Sequence, residues 1–250
     1  MKFIQLLWGT VIYRPYVYAF FLCYLVFALR QLRLRGTIIY TVLAYLIAFV
    51  SEFSATRNGF PFGIYVYLDS TRERELWVSN VPFWDSLSFV FLSYFSWLMA
   101  SALRAPASPS SKAFDPFTAV LGGFLMMMLD VVIDPLTLLG DRWFLGKIYY
   151  YPSEGFYFGV TLANFLGWFF VGTATVAVFQ FLCKKGALGI TGIRPLSSRE
   201  SWGAFCVYAG VFLFNLGVTA WIREWDLFLA SAAIVALVLA PSFRILQRAV

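Results

Sequence analysis

Two aspartates, Asp130 and Asp134, stand inside the apolar run Gly122-Gly-Phe-Leu-Met-Met-Met-Leu-Asp-Val-Val-Ile-Asp-Pro135. A carboxylate at membrane depth costs about 2.5–3.5 kcal/mol on insertion scales. At a spacing of four residues the pair lies on one helical face. Acids held at that cost protonate something, bind it or balance its charge. A third acid, Glu52, sits near the end of another apolar run, just before Asn58-Gly-Phe-Pro-Phe-Gly-Ile-Tyr-Val-Tyr67. Asn164, in the run Asn164-Phe-Leu-Gly-Trp168, is costly unless hydrogen-bonded and is suited to orienting a carboxylate or a water. Each has a plainer use as well. Glu52 can pair with Arg57, Asp134 can brace a helix break before Pro135, and Asn164 can bond a neighbouring backbone. Asn215 reads as structural, Arg72-Glu-Arg-Glu75 as a solvated loop and Lys184-Lys185 as a topological anchor.

The elements that must position these residues are membrane helices. The 250 residues are 61% hydrophobic, 20% aromatic and only 13% charged, with a mean hydropathy of +0.76, against about 25% charged in soluble domains. Segments of about 20 apolar residues fall at roughly 15–32, 37–55, 82–103, 115–139, 156–182, 202–222 and 226–243. The expected fold is therefore all-α, a single integral-membrane domain with about seven transmembrane helices. Residues 3–13 are too short to span and extend the first helix or lie at the interface. Gly122, Gly123, Gly167 and Gly172 read as close-packing positions between helices.

Charge orients the bundle. The loops after the first, third and fifth spans and the C-terminus carry eleven basic residues against Asp115 and Glu200; the opposite side carries eight basic and eight acidic residues, Asp85 among the latter. The positive-inside rule places the C-terminus in the cytoplasm and the N-terminus outside, and it accounts for the net charge of +6 without nucleic acid. Glu52, Asp130 and Asp134 are then the acids left at membrane depth, all near the extracytoplasmic face. Both loops beyond them, 58–67 and 147–159, are rich in Gly, Pro and Tyr. A polar, aromatic-walled cavity opening toward the outer leaflet uses them all.

Several chemistries are excluded. The chain has no histidine, the commonest general base and transition-metal ligand. Cys23, Cys183 and Cys206 show no CxxC spacing and read as small core residues. No P-loop, dinucleotide or nucleophile-elbow motif occurs. No metal or other cofactor is expected.

The ordered set Glu52…Gly59-Phe-Pro-Phe-Gly63-x-Tyr65-x-Tyr67, Val81-Pro82, Asp130-x-x-x-Asp134-Pro135, Trp143-Phe, Tyr150-Tyr151, Gly155-x-Tyr157-Phe158-Gly159-Val160 and Asn164-Phe-Leu-Gly-Trp168-Phe169 resembles the integral-membrane carotenoid biosynthesis family. That family includes bacterial carotenoid 1,2-hydratases and haloarchaeal bisanhydrobacterioruberin hydratases. The resemblance spans roughly residues 40–240 and implies acid-catalysed addition of water to the terminal double bond of a ψ-end group. Its partners are then a carotenoid or other long polyene and the lipid bilayer, and its place is a multi-pass cell membrane. A buried carboxylic acid can stay protonated near neutral pH, and aromatic faces and a nearby carboxylate can stabilise a cation. On this reading Asp130, the more buried, donates the proton; Asp134 orients water or balances the cation, with Glu52 the alternative acid. Tyr65, Tyr67, Tyr157, Asn164 and Trp168 hold water or substrate. A proton- or ion-coupled transporter and a pigment-binding subunit of a larger complex are the competing classes. The oligomeric state is not legible.

Overall fold

A computed structural model describes residues 2–104, 114–189 and 193–248; Lys112, one of the basic loop residues, lies outside them. The chain is an all-α polytopic bundle. Its helices are α1 (Lys2–Tyr13), α2 (Pro15–Asn58), α3 (Phe83–Arg104), α4 (Pro116–Leu138), α5 (Leu162–Lys184), α6 (Ser198–Trp221) and α7 (Trp225–Arg248). Six of them, α2 to α7, are long and apolar enough to cross a membrane.

α2 accounts for two crossings. Its 44 residues would make a rod of about 66 Å, roughly twice the hydrocarbon thickness of a bilayer. Arg33, at φ 60° and ψ 175°, breaks it. The two arms fold back on each other: the rings of Tyr24 and Tyr40 lie 6.1 Å apart, where sixteen residues of straight helix would separate them by about 24 Å. Tyr24 clamps the hairpin by hydrogen bonds to the Thr37 carbonyl and Thr41 Oγ1. The expected spans 15–32 and 37–55 are these arms, so the bundle has seven segments long and apolar enough to cross.

α3 is the central helix and almost wholly buried. Phe20 of the first α2 arm stacks on Phe91 and Phe27 meets Phe95 edge-on, while Tyr40 of the second arm bonds Ser93 at 2.9 Å. α4 and α5 approach closely because of glycine: a Cβ on Gly123 would lie 2.6 Å from the Phe169 carbonyl oxygen, and one on Gly172 would meet Gly123 and Met126. The ends are set locally. Asp115 caps α4 through Phe117 N and Thr118 N, with Pro116 following. Ser197 and Glu200 form a capping box on α6.

The two ends of the bundle differ. At one end lie α1, an excursion over 59–82 and the 139–161 loop. Here β1 (Val66–Tyr67) pairs with β4 (Tyr149–Tyr150), and β2 (Trp77–Val78) with β3 (Val81–Pro82). At the other end lie the Arg33 break, residues 185–189 and 193–197 and the end of α7; Arg194 there bonds the carbonyls of Arg30 and Gln31.

Five expectations change. Cys23 and Cys206, read as small core residues, are exposed on the outside of the bundle, and Cys183 is buried. The span drawn from residue 156 begins at Leu162, because Thr161 caps α5 and residues 157–160 form a tight turn. Residues 3–13 form a helix of their own, separated from α2 at Arg14. α4 does not end before Pro135 but runs through it to Leu138. Arg72-Glu-Arg-Glu75 is not wholly solvated: Glu75 is 0% exposed and paired with Arg14 at 2.8 Å.

Candidate active site: an acid cavity walled by tyrosines

Two pairs of acids meet around one cavity. The first is Asp130 and Asp134 on α4, 0% and 7% exposed. One side-chain nitrogen, Asn164 Nδ2 of α5, donates to both, at 2.6 Å to Asp130 Oδ2 and 3.1 Å to Asp134 Oδ2. The close α4–α5 packing at Gly123 and Gly172 brings that amide within reach. Asp134 is further held by the hydroxyls of Tyr149 and Tyr151, so three donors converge on it. Asp130 Oδ1 is buried and has no hydrogen-bond partner among the described residues.

The second pair is Glu52 of α2 and Asp85 in the first turn of α3. Ser86 Oγ donates to Glu52 Oε2 at 2.6 Å, and Tyr67 OH donates to Asp85 Oδ2 at 2.5 Å. Glu52 does not pair with Arg57, whose guanidinium bonds Asn80 Oδ1 at 2.9 Å. The β1–β4 ladder sets Tyr67 opposite Tyr149. With Tyr65 and Tyr151 they form a cage of four rings, Tyr65 lying 5.2, 5.7 and 6.2 Å from the other three. Burial first, then the neighbouring carboxylates, push all four phenols well above their usual range. They therefore stay protonated and serve as O–H donors.

Glu52, Asp85, Asp134, the four tyrosines and Asn164 line a cavity of about 910 Å³, its open mouth included. Aromatic rings wall it on several sides, so it is a slot and not a vestibule. Phe89 and Trp168 stack at 4.2 Å on one wall. Among the described residues no three His, Cys, Asp or Glu side chains converge as a metal would need.

Seven of the eight residues singled out from sequence come together here. Glu52, Tyr65, Tyr67, Asp134, Asn164 and Trp168 line the cavity, and Asp130 sits behind its wall on Asn164. Tyr157 does not join them. Its ring packs among Phe156, Phe158 and Phe165. Asp85, read from sequence as one of the balanced acids of the outer side, is the fourth acid of the cluster. Its place in a helix first turn, where acids are common, disguised it. Tyr149 and Tyr151 lay within the loop singled out as aromatic, but only the ladder identifies them as the partners of Asp134. Asn215 also lines the cavity while its amide bonds the Val211 carbonyl at 2.9 Å.

Fold and site together define a class: a multi-pass membrane protein with a cluster of buried carboxylates at one end of the bundle. Within that class the chain belongs to the carotenoid biosynthesis protein family, whose sequence profile matches residues 10–240. No curated protein and no solved structure matched the chain. The family ties the protein to carotenoid biosynthesis.

Proposed function

We propose that the protein is a carotenoid hydratase that adds water to the terminal double bond of a ψ-end group. The observation that carries this reading is the meeting of two carboxyl pairs across one narrow, ring-walled slot in a carotenoid-biosynthesis protein. Hydration of a trisubstituted alkene needs an acid, a base that holds water and a surface that tolerates a cation. The acid adds a proton to the less substituted alkene carbon, leaving a tertiary cation on the other. Water attacks that carbon, and its surplus proton passes to the base. The net change is addition of one water.

Hydrogen bonding suggests which acid does what. A carboxyl group that receives several donors is favoured in its ionised form. Asp134, with three donors, suits the base that orients water and faces the cation. Glu52, on the cavity wall with Ser86 as its one hydrogen-bond partner among the described residues, suits the proton donor. Asp134 keeps the role expected of it, and the proton donor's role passes from Asp130, which lies behind the wall, to Glu52, the alternative acid of the sequence reading. Asp130 backs Asp134 through their shared amide, and Asp85 sits beside Glu52. After each turnover the proton on Asp134 must return to Glu52. The four phenols between the two pairs offer the route.

The C-terminal end carries the surplus of Arg and Lys, so the positive-inside rule puts the acid end at the extracytoplasmic side of the cell membrane. Expression in a host that accumulates lycopene tests the reading. A product heavier by one or two waters in mass spectrometry supports it, and Glu52→Gln and Asp134→Asn should each abolish that product. An unchanged pigment pool with the protein present in the membrane would overturn it.

A further inference from the structure

The cavity has an apolar half that the acid chemistry does not use. It runs along α3 past Phe91 and Leu92, between the first arm of α2 and α6. Rings close it on that side: Phe214 of α6 stacks on Tyr16 at 5.2 Å and meets Phe20 edge-on at 6.4 Å. These three rings line the cavity and are partly exposed. Outside them stand Phe144 and Trp221, both exposed, with Phe144 5.7 Å from Tyr16 and 6.4 Å from Phe214. Among the described residues no side-chain hydrogen bond crosses this seam. A Cβ on Gly210 would find only Phe20 near it, at 3.9 Å. Such a seam opens by rotation of the Phe20 and Phe214 rings with no polar interaction broken.

Depth limits what the cavity can hold. Its deepest residue on α6, Val211, lies ten residues from the helix end at Trp221, about 15 Å along the axis. An extended carotenoid is comparable in length to the hydrocarbon core of a bilayer, about 30 Å. We infer that the seam formed by Tyr16, Phe20 and Phe214 is a lateral entrance through which one open-chain end of a long linear polyene slides from the bilayer to the acid cluster. The rest of the chain stays in lipid. This rests on the hydratase reading for the reacting end but not for the route. The slot then demands an acyclic end on the side that enters.

Thiol labelling tests the entrance. In a Cys23→Ser, Cys206→Ser background, Phe214→Cys is reconstituted in liposomes and labelled with a bulky aromatic maleimide or with a methylthio group. Lycopene association is read from quenching of the protein's tryptophans, and product is read separately. The bulky label should slow association on the order of tenfold or more, as a steric gate does, whereas the methylthio form stays near the unlabelled rate. The same bulky label on Leu213→Cys, a lipid-exposed neighbour, should change nothing. Phe20→Cys, on the facing arm, should repeat the Phe214 result and serves if Phe214→Cys fails to fold. Equal association with both labels at position 214 and at position 20 would overturn the entrance. Normal gated association with no hydrated product in any form would overturn the hydratase reading and leave the entrance standing.

Discussion

Asn164 is the residue on which the first acid pair depends. Its amide is the donor that Asp130 and Asp134 share, and a hydrogen bond to a charged group contributes about 1.5–3 kcal/mol. Asn164→Ala should therefore lower the hydration rate on the order of 10–150-fold with polyene quenching retained, which kinetics and binding measured side by side would check. Asp85 calls for a different experiment. If Glu52 delivers the proton and Asp85 serves in restoring it, Asp85→Asn should slow steady-state turnover more than the first turnover. Equal slowing of both would assign Asp85 to the chemical step itself. Tyr149→Phe removes one of the three donors on Asp134 and should weaken catalysis less than Asp134→Asn does. The phenols are held above their usual range, so an alkaline loss of activity below about pH 10 is not tyrosine ionisation.

The elements around the mouth are joined by one buried ion pair. Arg14, between α1 and α2, is 1% exposed and pairs with Glu75 of the 59–82 excursion. It also donates to the Leu145 carbonyl at 2.6 Å and lies 4.6 Å from the Trp84 ring, while Trp84 Nε1 donates to Glu75 at 3.1 Å. Trp84 and Leu145 line the cavity, so the pair ties three separate segments to its rim. Arg14→Ala leaves Glu75 buried without its cation and should cost about 3–5 kcal/mol, seen as a large drop in the thermal midpoint in detergent. An apolar pair of similar volume, Arg14→Met with Glu75→Leu, should recover much of that loss. Helix contact matters in the same way at Gly123. Gly123→Ala forces a methyl against the Phe169 carbonyl and should cost about 1–3 kcal/mol. It should also reduce turnover, because α5 carries Asn164.

At the scale of the whole molecule, two crossings by α2 and one each by α3 to α7 would put the two ends of the chain on opposite sides of the membrane. Asp141→Cys, at the acid end, should react with an impermeant thiol reagent in intact cells, whereas Lys185→Cys should react only after the membrane is opened. A slot that takes one end at a time also predicts kinetics. With a substrate bearing two open-chain ends, the singly hydrated product should build up first and be consumed later, as a time course by mass spectrometry would show.

The membrane class, the spans and three of the four acids were legible in the sequence because each violates a strong local rule. Long apolar runs have no place in soluble surfaces, and a carboxylate inside one is conspicuous. The two arms of α2 were separable for the same reason, since Arg30, Arg33 and Arg35 interrupt an apolar stretch too long for one crossing. Tyr157 was misplaced because a tyrosine in an aromatic loop looks the same whether it faces a cavity or packs against phenylalanines. Asp85, the Arg14–Glu75 pair and the partners of Asp134 needed tertiary structure. Arg14 and Glu75 are 61 residues apart, and nothing in the identity of either says that folding will remove both from water together. By itself the sequence determined that costly acids sit at one membrane depth, because solvation free energy depends on residue type and local surroundings. Only the fold decided that Asp130 stands behind Asp134, that Asp85 joins Glu52, and that the cavity has a seam toward lipid. Those facts depend on which helix faces which, and helix packing is a property of pairs of surfaces distant in the chain.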